Sequence, residues 1–109
     1  MHLKPQLTLT HLALALTAFA ALPTHAQDRN LCRNLAAQCA NCHGTNGVSQ
    51  SSIPSLAGRD TASFTAAMND FKSGKRTGPA ATIMHQLAKG YSDEQIAAMA
   101  SFFAAQKAK

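Results

Sequence analysis

The chain has 109 residues, with 10 Lys and Arg against 5 Asp and Glu and a formal charge of +5 at pH 7. A domain this short buries only roughly 60% of its unfolded surface and draws stability from disulfides, a metal or a cofactor. Its 3 cysteines cannot all pair within one chain, and aromatics are 6% with no Trp; a disulfide-dense framework and a core of many large side chains are both excluded.

The N-terminal segment has a basic start at Lys4, an uncharged run from Leu12 to Leu22 and then Pro23 and Thr24-His25-Ala26. That order of charged, apolar and small residues predicts a secretory signal peptide over 1–26, cleaved near Ala26, with one domain over 27–109. The run falls well short of the roughly 20 apolar residues that span a bilayer, so no membrane span is expected in the mature protein. Asn30 and Leu31 before Cys32 are not the small residues that a lipid anchor at that cysteine needs. Export implies a bacterial periplasm, where disulfides are permitted. The basic residues form no long runs and are not interleaved with aromatics, which argues against a nucleic-acid partner and for an acidic protein surface.

No β-like alternation or repeat is present, so the fold class expected is all-α, with about four helices cut by Gly and Pro. The first helix is predicted from about Asn30 to Cys39, with Leu31 and Leu35 forming an apolar ridge. Gly44 to Gly58 reads as a loop, long enough in so small a domain to wrap something. A second helix is predicted over 61–72, capped by Asp60, with Phe64, Met68 and Phe71 on one face and Ser73-Gly74 as its stop. The basic loop from Lys72 to Gly78 follows, and Pro79 is expected in the first turn of a third helix ending at Lys89-Gly90. Ser92 and Gln95 predict a capping box for the last helix, with Tyr91 and Ile96 as its hydrophobic staple. Ile96, Met99 and Phe103 then form its buried stripe.

Where the first helix gives way to the loop stands Cys39-Ala40-Asn41-Cys42-His43. Two thiols at this spacing match the two vinyl groups of a haem, and the adjacent histidine can take one axial position on iron. Two other chemistries use paired cysteines. A thioredoxin-like dithiol needs a strand before the motif, and the pattern has none. A structural zinc site needs four ligands, and only Cys32 or His85 remains to complete it. The reading taken is one covalent haem c.

The second axial ligand decides between electron transfer and binding of small ligands. Met68 and Met99 share faces with Phe64 and Phe71 and with Ile96 and Phe103, and read as core. Met84 follows the Gly78-Pro79 loop, which can return the chain over the opposite face of the haem. Met84 is therefore the expected ligand, with His85 and an open site as the alternatives. Leu31, Leu35, Phe64, Phe71, Ile96 and Phe103 are expected to pack around or beneath the haem. Lys72, Lys75, Arg76 and Lys89 flank Met84 in sequence and are read either as a positive docking rim or as ordinary solvated surface. Cys32 is left as a small buried hydrophobe or a thiol for another chain.

Three blocks carry a family resemblance: Cys39 to Gly44, Pro54 to Gly58, and Met84 with Ala88 to Glu94 and the terminal helix. Over nearly all of 27–109 the chain resembles a short bacterial class I c-type cytochrome, a fold of about four helices and a long loop around one covalent haem. The resemblance implies that the Pro54 carbonyl accepts a hydrogen bond from the haem-ligating His43. More narrowly, Phe71 to Arg76, Thr82 to Met84 and Lys89 to Glu94 are similar to the cytochrome subunit of flavocytochrome c sulfide dehydrogenase. That implies a non-catalytic electron-transfer subunit with a sulfide-oxidising flavoprotein partner, although better-known members carry two haem domains and this chain has one C-x-x-C-H. The alternatives are a freely diffusing carrier for an oxidase or reductase, and a haem-based ligand binder or sensor.

Overall fold

The computed structural model describes residues 24–109. The helices are α1 (Thr24–Ala37), α2 (Ala40–His43), α3 (Thr61–Lys72), α4 (Ala81–Lys89) and α5 (Asp93–Ala104), with a 3-10 turn at Thr45–Gly47. Among the described residues there is no strand, as the absence of alternation predicts. The proposed signal segment falls largely on residues 1–23, outside the described residues.

Apolar residues recurring every three or four positions along α5 leave one face that must be covered. Ile96, Met99, Ala100 and Phe103 fill it and are at most 1% exposed. α1 packs on α5, α5 on α3 and α3 on α4. Ala36 of α1, Phe64 and Met68 of α3, Ala88 of α4 and Leu56 of the long loop complete the core. The Phe64 and Phe103 rings lie 5.5 Å apart, and Phe102 meets Phe103 edge-on at 5.2 Å.

α3 has the bounds the sequence predicts, because both of its ends are written in local chemistry. The Asp60 carboxylate accepts from the Ser63 backbone N–H at 2.9 Å, satisfying one of the open N–H groups of the first turn. Hydrogen bonding from Ser63, side chain first and backbone second, holds the Asp60 carboxyl below its ordinary value. A carboxyl depressed in the folded state stabilises fully above its unfolded pKa, and that contribution falls away as pH drops through the lower folded value. Asp60→Asn keeps an acceptor but not the titration, so acid unfolding followed by circular dichroism should show a shallower loss of stability below about pH 4. An unchanged acid limb would remove Asp60 from the account.

The capping box of α5 is complete: Gln95 N–H donates to the Ser92 hydroxyl at 3.2 Å, and Ser92 N–H donates to the Gln95 side chain at 2.9 Å. Ser92→Ala is expected to cost about 1 kcal/mol, a fall of roughly 4–8 °C in Tm for a domain of this size. A thermal melt that coincides with wild type would show that the box contributes nothing.

Three expectations need correction. α1 begins at Thr24, not near Asn30, and ends at Ala37. The residues of its first turns, 24–30, are mostly polar in sequence, so apolar periodicity gives no sign of them. Leu31 is 54% exposed and outside the core; α1 meets the core through Ala36, with Leu35 packed beside it. Pro79 lies before α4, not in it. Ala81 N–H donates to Gly78 O at 3.0 Å, which makes Pro79 the second residue of a tight turn, a position its fixed φ suits. Ala80 then precedes the helix without a side-chain cap.

Candidate cofactor site

α1 stops at Ala37, one residue short of the cysteine motif. Cys39 N–H donates to Ala36 O at 3.1 Å, and the Cys39 carbonyl accepts from Cys42 N–H at 3.3 Å and His43 N–H at 2.9 Å. Positions three apart on a helical turn lie on the same side, so α2 presents Cys39 and Cys42 together with His43 next in line. Cys39 is half-buried and Cys42 exposed, and neither is in a disulfide. Burial, with a smaller push from the Cys42 charge, raises the Cys39 thiol above its ordinary value.

The chain then turns sharply at Gly44, with φ +83° and ψ 162°. A Cβ there would run into the Val48 carbonyl. Gly47, with φ +77°, lies against the Phe103 ring, and a Cβ would come within 2.8 Å of that ring and 2.9 Å of Ala57 N. The open carbonyl of Gly47 accepts from Leu56 N–H at 2.8 Å and Ala57 N–H at 3.1 Å, while Gly58 N–H donates to Phe103 O at 2.9 Å. Ser49 N–H donates to the Ser55 hydroxyl at 2.9 Å. The loop is thus fastened to the core on the far side of Pro54 and cross-tied around it.

The consequence is at His43. Its Nδ1 lies 2.6 Å from the Pro54 carbonyl oxygen. A carbonyl only accepts, so Nδ1 carries the hydrogen, and in the neutral ring the lone pair is on Nε2. A second bond of this kind fixes both the tautomer and the plane of a metal-binding imidazole. Gly47→Ala is expected to destabilise the fold by about 1–3 kcal/mol, through a disfavoured φ and overpacking against Phe103. Denaturant unfolding measures it, and a loss below a few tenths would refute the close approach.

Of the methionines, Met68 is 6% exposed and Met99 0%, both inside the core. Met84 is half-buried in the first half of α4 and packs against the edge of that core. The His85 Nε2 donates to Arg76 O at 2.6 Å, so it is engaged with the preceding loop. Phe71 lies beside it, with ring centroids 6.1 Å apart, and the Arg76 guanidinium sits 4.8 Å over the Phe71 ring.

The four basic residues are not equivalent. The Lys72 ammonium donates to Tyr91 O at 2.7 Å and lies 3.4 Å from Asp93, so it ties the end of α3 to the start of α5. Lys75 is an exposed partner of Asp70 at 3.5 Å. Lys89 is exposed at the end of α4. Cys32 is half-buried on α1 as a free thiol.

A family model described as Cytochrome c matches residues 33–107. The chain belongs to the cytochrome c family. The cytochrome is 45% identical over 69 residues to the cytochrome subunit of sulfide dehydrogenase of Chlorobaculum tepidum, a match covering 63% of this chain and 60% of that one. It is 34% identical over 70 residues to cytochrome c-554(548) of Halomonas halodenitrificans, covering 63% of this chain and 84% of the other. It is also 37% identical over 75 residues to the thiosulfate dehydrogenase electron acceptor of Stutzerimonas stutzeri, covering 67% of this chain but 33% of that protein.

The cytochrome is thus an electron-transfer protein with covalent haem c, and its residues fit that group. The donor set is right: two free thiols on one turn, and beside them an imidazole whose Nδ1 is already held. The fold also leaves Ile53, Ile83 and Leu87 uncovered at 37%, 64% and 48% exposure. Two of them adjoin Pro54 and Met84, where an apolar macrocycle would gain contacts. Among the described residues no three His, Cys, Asp or Glu side chains gather as a metal cluster. No described helix is long and apolar enough to cross a membrane.

Sequence reasoning missed the His85 bond to Arg76, the Lys72 bond to Tyr91 O, and a bond from the Tyr91 hydroxyl to Gln38 at 2.9 Å. The partners of that last bond are 53 positions apart, and no local pattern encodes it.

Proposed function

We propose that the cytochrome is an exported, periplasmic one-electron carrier whose iron is held by His43 and Met84, with thioether bonds to Cys39 and Cys42. It takes electrons from a flavoprotein that oxidises sulfide. The observation that carries the iron site is the 2.6 Å bond from His43 Nδ1 to Pro54 O, which leaves Nε2 as the ligating atom. When bound, haem supplies an iron centre that changes oxidation state by one electron without bond breaking. With His43 and Met84 both holding the iron, no coordination site would be left open to small molecules.

The 45% identity to a sulfide dehydrogenase cytochrome subunit supports the donor. The test is purification together with the flavoprotein: a flavin-containing complex whose haem is reduced by sulfide is expected. A cytochrome that stays monomeric and unreduced by sulfide plus flavoprotein overturns this assignment. The similarity to a thiosulfate dehydrogenase electron acceptor favours a second reading, a free carrier, and reduction by that class of enzyme would establish it instead.

Docking is assigned to Lys75, Arg76 and Lys89 with Lys72 at their edge. The loop bearing Arg76 is pre-shaped by His85 and Phe71, which lowers the ordering cost of binding. Lys75→Glu with Arg76→Glu should slow second-order reduction on the order of tenfold at low ionic strength, with the difference shrinking as salt screens it. Stopped-flow rates that are equal at every salt concentration would make these charges ordinary surface.

A further inference from the structure

Tyr91 stands between α4 and α5, and three elements meet on it. Its backbone N–H donates to Ala88 O at 3.3 Å, which fastens it to the last turn of α4. Its carbonyl accepts from Lys72 at the end of α3 at 2.7 Å. Its hydroxyl donates to Gln38 Oε1 at 2.9 Å, and Gln38 immediately precedes Cys39. Burial holds the phenol above its ordinary pKa, so the hydroxyl keeps the proton it donates.

The location of this bond gives it leverage. α1 packs on α5 and α4 packs on α3. Between α1 and α4 is a cleft of about 380 Å³, lined by Leu35 and Gln38 on one side and by Gln86, Leu87 and Gly90 on the other, with Tyr91 and Gln95 completing it. The Tyr91–Gln38 bond crosses that gap. It ties the turn bearing Cys39, Cys42 and His43 to the helix bearing Met84.

We propose that Tyr91 is a positioning residue for the iron: its hydroxyl, bonded to Gln38, holds α4 against the haem-attachment turn and so resists withdrawal of Met84 from its axial place. The inference rests on the proposed ligation by Met84. An external ligand must displace that sulfur, and displacement requires α4 to draw away from the turn. A bond present in the closed state and absent in the open one weights the equilibrium toward closure by its own net worth.

The test is titration of the oxidised holoprotein with imidazole, followed by its visible spectrum. Tyr91→Phe, which keeps the ring and deletes only the hydroxyl, should bind imidazole about fivefold more tightly than wild type, as expected for a net hydrogen bond of about 1 kcal/mol. Gln38→Ala, at an exposed acceptor, should give the same gain, and it tests the same bond if Tyr91→Phe fails to take up haem. The double variant should match either single one, because both remove one interaction. Wild-type imidazole affinity in the two single variants, or gains that add in the double one, overturns the proposal. Met84→Ala is the control and should bind imidazole far more tightly than any of these. If it binds no better than wild type, the axial assignment has failed, and the clamp on it fails too.

Discussion

Phe103→Ala is expected to cost about 3–5 kcal/mol, a large part of the 5–15 kcal/mol that holds an ordinary domain folded. The ring is 1% exposed, lies 5.5 Å from the tilted Phe64 ring and meets Phe102 edge-on at 5.2 Å. The core it belongs to includes Ala36, Ala88 and Ala100, whose short side chains cannot extend into the space. The ring is also the surface against which Gly47 is laid. Gly47 O holds Leu56 and Ala57, and those two residues follow the segment whose Pro54 carbonyl meets His43. Loss of the ring should therefore reach the imidazole as well as the global stability. Guanidinium unfolding of the holoprotein, followed by far-UV circular dichroism, measures the first effect as a fall in midpoint with little change in slope. The visible spectrum, measured well below that midpoint, reads the second. A loss under about 1 kcal/mol would mean that Phe103 is not the keystone between α5 and the loop.

The parts of this fold that were legible in the sequence are those set by neighbours a few positions apart. Asp60 with Ser63, and Ser92 with Gln95, announce helix starts because an N-cap bonds within its own first turn. Phe64 and Met68, like Ile96, Met99 and Phe103, declare a buried face by their spacing. The cysteine motif is legible for the same reason, since two thiols and an imidazole within five residues need only one turn of helix to be brought together. Legibility fails where the outcome depends on which surfaces the fold brings together. Leu31 has the same spacing to Leu35 as a core ridge, yet it is exposed in the fold while Ala36 is buried. Lys72 reads as one more charge of a basic loop until Tyr91 O is found 2.7 Å from its ammonium. His85 reads as a rival ligand to Met84, whereas its Nε2 is bonded to Arg76 O. In sequence Tyr91 reads only as a staple for α5, and its hydroxyl's partner, Gln38, lies just past the end of α1.

Met84→His is expected to lower the reduction potential by a few tenths of a volt, within the roughly 0.8 V that axial ligation spans in haem proteins. A thioether is a weak donor that favours the reduced iron, whereas a second imidazole stabilises the oxidised state. The spectrum of the oxidised protein should lose its sulfur-to-iron absorption in the same variant. Two features of the chain make Met84 the residue to change. Met68 and Met99 are 6% and 0% exposed within the core, so bringing either to the iron would require α3 or α5 to give up its packing. Met84 instead sits half-buried near the start of α4, flanked by the exposed Ile83, at an edge where coordination costs the core little. The neighbouring histidine supplies the internal comparison. His85→Ala should leave the potential and the sulfur absorption near wild type, because its Nε2 serves the Arg76 carbonyl, but it should loosen the basic loop and slow reduction by the partner. If His85→Ala abolishes the sulfur absorption while Met84→His leaves the potential unchanged, the two roles assigned to this dipeptide are wrong. The charge-bearing loop and the iron ligand would then have to be assigned again, from α4 outward.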